Sequence, residues 1–336
     1  MASPRAAPHF AVPFVLTLAV LGSSPLWIGA VGLYPYIAVE VLIWALYALA
    51  FNLLLGYGGL PSFGHGAFFG IGAYAFGLAA RHWAANLWLD LACALVAAAL
   101  AGALVAAFIS HRRGIYYALL TIAFGQLAWF VAIKWHSVTG GEDGLLKIPR
   151  PPLELGFTTI AITSNTALFY FALALFAIVV VALWRLVDSP FGRVLAAVKQ
   201  NETRAAYCGH NVWAVKFTVF VLSAALSGLA GGLFAMAQLS AYPNVMSLAN
   251  SGYVVMMVLI GGGLVSFWGP LIGAAFFILA RDLLGAYTET WLLWYGLVFM
   301  ALVLYKPEGV AGIWQAWRAR KPHAAAPVVT AKQKEA

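Results

Sequence analysis

Charged side chains are scarce in this sequence. Asp, Glu, Lys and Arg make up 9% of the 336 residues while 63% are hydrophobic, and the mean hydropathy is +0.90. A soluble domain carries about 25% charged and 45–50% apolar residues, so a water-soluble globule and a disordered chain are both excluded, leaving an all-α polytopic membrane protein. Cysteine is nearly absent too. Cys93 falls within a span and Cys208 in a polar loop, which argues against a disulfide framework. No Gly-x-x-x-x-Gly-Lys-Ser/Thr occurs, so the chain has no P-loop, and any ATP that drives it must be hydrolysed by another subunit.

Ionisable groups are missing from the middles of the apolar spans, where each would cost ~2.5–3.5 kcal/mol and be kept for function. Glu40 and Asp90 lie toward outer ends, as do Arg281 and Asp282, which are placed to pair with each other. The usual engine of an ion-coupled secondary carrier is therefore lacking. His9, His82, His111, His136, His210 and His323 sit in loops or tails without metal-ligand spacing. No span holds a nucleophile beside a base. No metal, no cofactor and no catalytic residue is expected, and the chain does not read as an enzyme.

What is abundant is apolar helix. One bilayer crossing takes ~20 apolar residues, and spans are expected near 10–32, 36–56, 63–80, 87–109, 115–135, 166–186, 215–237, 250–265, 269–285 and 291–305. The third, eighth, ninth and tenth are short enough to be tilted or broken. The first reads as a retained span rather than a cleaved signal peptide, since no convincing cleavage site follows it. Interfacial aromatics such as Trp27, Tyr34, Trp83, Trp135, Trp184 and Trp291 mark many of the ends. With both termini cytoplasmic, fourteen basic residues lie inside and five outside, a positive-inside pattern that orients the chain.

The expected organisation is a cytoplasmic N-terminus at 1–9, a transmembrane domain at 10–310, and a disordered cytoplasmic tail at 311–336. Two loops are long. The outer one, 136–165, carries turn chemistry in Thr139-Gly140-Gly141-Glu142-Asp143-Gly144 and suits an ordered cap. The inner one, 188–213, carries two helix starts, Ser189-Pro190 and Asn201, with Gly209 as a stop. It reads either as a docking surface or as a plain helical linker.

The polar residues within spans are mild: Asn52, Ser62, His65, Thr121, Gln126, Ser223 and Ser227. His65 reads as a structural histidine, because a relay or ligand would need a carboxylate or a second ligand. Gly66, Gly70, Ala73 and Gly77, and likewise Ala224, Gly228 and Gly232, form flat faces for close helix packing. Gly58-Gly59-Leu60-Pro61-Ser62-Phe63 and Gly262-Gly263-Leu264-Val265-Ser266-Phe267 match at five of six positions, an echo of the kind found in transporters with duplicated halves. Two matches are decoys. Gly70-x-Gly72-x-x-Ala75 lies inside an apolar span rather than at a strand-to-helix turn, and the sequon Asn201-Glu202-Thr203 falls on the cytoplasmic side.

The stretch from Asn52 through Gly56-Tyr57-Gly58-Gly59-Leu60-Pro61-Ser62-Phe63-Gly64-His65-Gly66 to Tyr74 resembles the signature of bacterial high-affinity branched-chain amino acid ABC permeases of the LivM type. Further blocks follow in the same order: Arg113 to Gln126, Thr139 to Leu145, Ser189 to Arg193 with Asn201-Glu202, and Leu259 to Gly263 with Trp268-Gly269-Pro270. The resemblance implies a type II-like ABC importer permease of about ten transmembrane helices in the bacterial inner membrane. It also implies partners: a second homologous permease subunit, two cytoplasmic ATPase subunits and a periplasmic solute-binding protein. A sister importer for urea or short amides is the close alternative.

In ABC importers the permease loop that docks the ATPase is similar to an Glu-Ala-Ala motif followed by a Gly, which Glu202, Ala205, Ala206 and Gly209 match loosely. Pro190, Gly192, Arg193, Asn201, Glu202, Ala205 and Gly209 are accordingly the expected coupling residues. Asn52, Ser62, His65, Thr121 and Gln126 are the expected path residues. The net charge of +8 divides into a balance of +10 inside and −2 outside. It orients the chain in lipid and calls for no nucleic acid.

Overall fold

The computed structural model describes residues 11–27, 34–83, 86–154, 159–160, 162, 164–306 and 308–312. The expected N-terminal segment 1–9 and all but the first two residues of the tail 311–336 lie outside the described residues. In chain order the helices are α1 (Ala11–Trp27), α2 (Tyr36–Asn52), α3 (Gly66–His82), α4 (Leu87–Ile109), α5 (Gly114–Lys134), the one-turn α6 (His136–Thr139), α7 (Asn165–Asp188), α8 (Pro190–Gln200), α9 (Glu202–Tyr207), α10 (Val212–Gln238), α11 (Leu248–Gly261), α12 (Gly269–Tyr287) and α13 (Trp291–Tyr305). Ten of these fall on the ten expected spans. Six apolar segments, starting at Tyr36, Leu87, Gly114, Asn165, Val212 and Gly269, are long enough to cross a bilayer unaided. This is an all-α polytopic membrane protein.

Sequence composition sets where each helix sits. α2 is apolar on every side and is buried from Ile37 to Asn52, so it forms the axis of the bundle. Trp44 and Tyr47 of α2 pack on Phe69 of α3, with ring centroids 5.7 and 4.9 Å apart. α13 is the opposite case. Of its fifteen residues only Tyr295 is buried, leaving an apolar surface that suits lipid or a partner helix.

The tightest packing lies where α3 and α4 meet α10. A methyl group at Gly72 would stand 2.1 Å from the Gly228 carbonyl oxygen, and one at Gly231 would stand 1.8 Å from that of Phe69. One at Gly228 would strike Ala98 Cβ at 2.2 Å. The small-residue faces seen in the sequence are thus used for backbone-to-backbone contact between these three helices.

The second span does not pass straight into the third. After Asn52 the helix widens into a π-turn, Leu53–Tyr57, and residues 58–65 run without helix before α3 starts at Gly66. The expected third span at 63–80 therefore begins a few residues late. Its first amide, Gly66 N–H, donates to Ser251 Oγ of α11 at 2.9 Å. The second hexad of the sequence echo occupies the break between α11 and α12, and the two breaks touch: a methyl at Gly56 would lie 2.8 Å from the Gly263 carbonyl.

Taking sidedness from the charge pattern, the outer loop is an ordered cap over its described residues. β1 (Leu145–Leu146) pairs antiparallel with β4 (Ser240–Ala241) just beyond α10, and the short strands β2 (Leu153–Glu154) and β3 (Thr159–Ile160) pair with each other. Arg150 reaches back so that its Nε and Nη2 donate to the carbonyls of Met236 and Ala237, each at 3.2 Å, a cation at a helix C-terminus.

One expectation is corrected here. Arg281 of α12 pairs with Glu40 of α2 rather than with its neighbour Asp282, through a bidentate contact at 2.7 and 2.6 Å. Adjacent residues on a helix point about 100° apart, whereas Glu40 faces Arg281 across the α2–α12 contact.

Replacing Gly72 by Leu should disrupt the α3–α10 crossing and cost roughly 3 kcal/mol or more. Gly252→Ala, at a position with open space around it, should change stability by no more than about 1 kcal/mol. Thermal retention of a monodisperse species in detergent separates the two.

Candidate functional site

Two short helices build the inner loop, each with the start signal expected of it. Ser189 caps α8, its Oγ accepting from Gly192 N–H at 3.4 Å, and Pro190 follows at the first helical position. Asn201 Oδ1 accepts from Arg204 N–H at 2.9 Å to start α9. Gly209, at φ +87°, ends it in the left-handed region. α8 is amphipathic: Gly192, Leu195 and Val198 are buried, and Arg193 is exposed without an ion pair among the described residues. Gly192 has no room for a side chain, since a methyl there would lie 2.0 Å from the Val187 carbonyl. Ala205 is the buried residue of α9, and Tyr207 is 89% exposed.

The loop is fastened to the transmembrane helices at two places. From α8, Lys199 Nζ donates to the Gly56 carbonyl at 2.5 Å, and its stem lies over Gly59 so closely that a methyl there would be 2.8 Å from Lys199 Cγ. Gly59 has φ +66°, so the α2–α3 break is shaped by a glycine that also admits the lysine. From α9, Glu202 forms ion pairs with Arg113 Nε at 2.6 Å and Lys216 Nζ at 3.2 Å. Lys216 is almost wholly buried at the foot of α10; it also donates to the Arg112 carbonyl and lies over the Tyr117 ring. Arg113 N-caps α5. Glu202 therefore bridges the feet of α5 and α10.

The five expected path residues fall in two groups. Asn52, Ser62 and His65 are buried. Asn52 Oδ1 has no hydrogen-bond partner and is wedged against Gly56 and Gly263. His65 is ringed by Phe51, Phe68 and Phe220, with centroids 5.2 to 5.6 Å away. Its Nε2 lies 2.9 Å from Ser223 Oγ and its Nδ1 lies 3.4 Å from Ser62 Oγ. Ser223 uses its own hydroxyl hydrogen on the Ala50 carbonyl at 2.7 Å, so Nε2 carries the proton and Nδ1 accepts. Both imidazole nitrogens are satisfied, as a structural histidine requires.

Thr121 and Gln126 form the second group, on α5. Thr121 is buried where α5 meets the α2–α3 break: its Oγ1 accepts from Phe63 N–H at 3.1 Å and donates to the Ala118 carbonyl at 2.6 Å. Close beside it, a methyl at Gly64 would lie 1.8 Å from the Thr121 carbonyl. α5 also packs against the turns Pro243–Met246 and Gly141–Asp143, but it stands off from much of α3 and α4. An apolar cavity of about 460 Å³ lies between it, α3 and α4, lined by Phe68, Tyr74, Val105, Thr121 and Phe124 among others. Gln126 is half-buried and lies about 140° around the helix from Thr121, so the two do not share a face.

Sequence reasoning did not single out Lys199, Arg113 or Lys216 as site residues. The one available signal was Lys216 itself, a cation four residues inside an apolar helix and hence in need of a partner.

Residues 33–305 match the family described as branched-chain amino acid transport system / permease component. The chain is 30% identical over 294 residues to the high-affinity branched-chain amino acid transport system permease protein LivM of Escherichia coli, covering 82% of this chain and 69% of that protein. The Salmonella typhimurium protein of the same name is 29% identical over the same extent. A probable branched-chain amino acid transport permease protein LivM of Methanocaldococcus jannaschii is 22% identical, covering 80% of this chain and 92% of that protein. No solved structure matches.

Lys216→Met should cost about 2–3 kcal/mol, because it removes a charged hydrogen bond from Glu202 in a buried setting. Arg113→Gln should cost less than about 1 kcal/mol, since Arg113 is 59% exposed. Denaturant titration of both variants in the same micelle tests the order.

Proposed function

Because this multi-pass membrane chain belongs to the family of branched-chain amino acid transport permease components, we propose that it is the permease subunit of an ATP-driven importer moving branched-chain or related amino acids into the cell. In this reading it lies in the bacterial cytoplasmic membrane with both termini inside. It pairs with a second homologous permease subunit, takes solute from a periplasmic binding protein, and is driven by two cytoplasmic ATPase subunits that hydrolyse the ATP. The chain itself catalyses nothing.

The observation that carries the proposal is the double fastening of the inner loop. A loop that only linked two spans would need no tie to distant elements. Residues 188–213 instead hold the α2–α3 break through Lys199 and the feet of α5 and α10 through Glu202. The outer surface of this loop is cationic and aromatic, with Arg193, Arg204, Tyr207 and His210 exposed, and it serves as the ATPase-docking face. Pro190, Gly192, Asn201, Ala205 and Gly209 shape the loop, and Glu202 passes its displacement on.

The moving part in this mechanism is α5. It touches the α2–α3 break at Gly64 through Thr121 and is separated from much of α3 by the apolar cavity. Displacing its foot would tilt it about that contact. Thr121, Ser62, His65 and Asn52 are occluded in the present arrangement; of these Thr121 stands on α5 and meets the path when α5 moves, while Gln126 lies on the face that turns toward the solute.

In proteoliposomes containing the whole importer, Arg193→Ala and Glu202→Gln should each reduce ATP-driven leucine uptake and binding-protein-stimulated ATPase activity by about tenfold, with membrane insertion unchanged. Uptake and stimulated ATPase activity at the native level in both variants would remove the coupling assignment. Uptake that persists without ATP and collapses with the ion gradient would make the protein a secondary carrier, and uptake of urea in place of leucine would make it a permease of the sister class.

A further inference from the structure

On the outer side of α5, opposite the apolar cavity, the structure holds a second cleft of about 500 Å³. Its walls differ sharply in chemistry. Trp129 and Ile133 of α5 and Phe234 of α10 form an apolar side, while Asn244 and Asn250, from the turn before α11 and from its first turn, present amides. Glu142 of the outer loop closes the rim and is the only charged residue among those lining the cleft. Its carboxylate forms no ion pair or hydrogen bond with another described residue.

The backbone at Glu142 is held in place by its surroundings. It sits in the single 3₁₀ turn Gly141–Asp143, flanked by Gly140 and Gly144 at φ +79° and +71°. Gly144 abuts the outer end of α10's extension so closely that a methyl there would lie 2.3 Å from the Ala241 carbonyl, and β1 follows at once, paired to β4. Asn250 is likewise oriented, its Nδ2 donating to the Val245 carbonyl at 3.1 Å, which leaves Oδ1 and the second N–H free to meet a ligand. Gln126 lies one turn inward of Trp129 on a neighbouring face of α5 and does not itself line the cleft.

We propose that this cleft is the outer receiving site for the transported solute and that Glu142 selects for a primary ammonium group. The inference rests on the importer reading and narrows its solute. An apolar amino acid carries an ammonium, a carboxylate and a hydrocarbon side chain. The cleft offers a carboxylate, two amides and an aromatic wall to match them in turn. Urea or a short amide has no cation for Glu142 and no hydrocarbon for Trp129 and Phe234.

The test is leucine uptake by the whole importer in proteoliposomes, comparing wild type with Glu142→Gln, Glu142→Asp and Asp143→Asn. Asp143 is the neighbouring exposed acid that does not line the cleft. Glu142→Gln should lower kcat/KM for leucine-loaded binding protein about tenfold, Glu142→Asp should restore part of it, and Asp143→Asn should match wild type. The site assignment is overturned if Glu142→Gln transports like wild type, or if Asp143→Asn loses as much and the effect is therefore general to the outer face. Wild-type uptake of urea in place of leucine would overturn both the ammonium selection and the amino acid reading on which it rests.

Discussion

The arrangement depends on one physical constraint, the absence of side chains where α3 crosses α10. In lipid there is no hydrophobic gain from helix association, and contact depends on backbone approach. Gly72, Gly228 and Gly231 let two helices come together until carbonyl oxygens and Cα atoms are nearly in contact, and Ala94 and Ala98 bring α4 against the same seam. The result is a rigid block of α3, α4 and α10 around the axial α2. Ser223, which fixes the His65 ring and with it the start of α3, stands on α10 within this block.

Against that block α5 is held by contrast. It meets the α2–α3 break at Gly64 and Thr121 and the turn Pro243–Met246 on another side, and its face toward α3 and α4 borders a cavity. A helix bordered by a cavity on one side can tilt toward it without repacking a core, which a close-packed interior resists. The ion-pair bridge at its foot reinforces this difference. Glu202 sits between Lys216, buried in the rigid block, and Arg113, exposed at the base of the loosely held helix. A shift of the inner loop would therefore be resisted on the Lys216 side and passed to α5 on the Arg113 side.

How much of this was legible in the sequence depended on whether a feature is local. Span positions follow from hydropathy, and α12 and α13 begin where they were expected. The caps of α8 and α9 follow from Ser189, Pro190 and Asn201, because a capping side chain reaches its own backbone a few residues on. The partners of Glu40 and Glu202 were not legible. Glu40 lies 241 residues from Arg281, and Glu202 bonds to groups 89 residues before and 14 after it; no spacing rule connects such positions. The late start of α3 was half legible: Gly58-Gly59 and Pro61 mark a break, but its depth depends on Lys199 and Ser251 meeting it from other helices.

The same distinction explains why the polar residues within spans were an incomplete guide to the path. Polarity inside an apolar helix shows only that a partner is needed. For His65, Ser223 and Thr121 that partner is another part of the chain, and each is satisfied. Asn52 Oδ1 has none, but it is shut in against Gly56 and Gly263; the polar groups that line the outer cleft lie elsewhere, on the turn and first helical turn near Asn244 and Asn250 and on the outer loop at Glu142. Such segments escape a search through spans because they read as connections. They nevertheless border the membrane-embedded face of α5, since the chain between α10 and α11 turns back along that helix before α11 begins at Leu248. The spans are packed by glycine, and most of the polar groups they keep are buried among their own helices. The receiving site proposed above accordingly draws its polar groups from the segments that connect the spans.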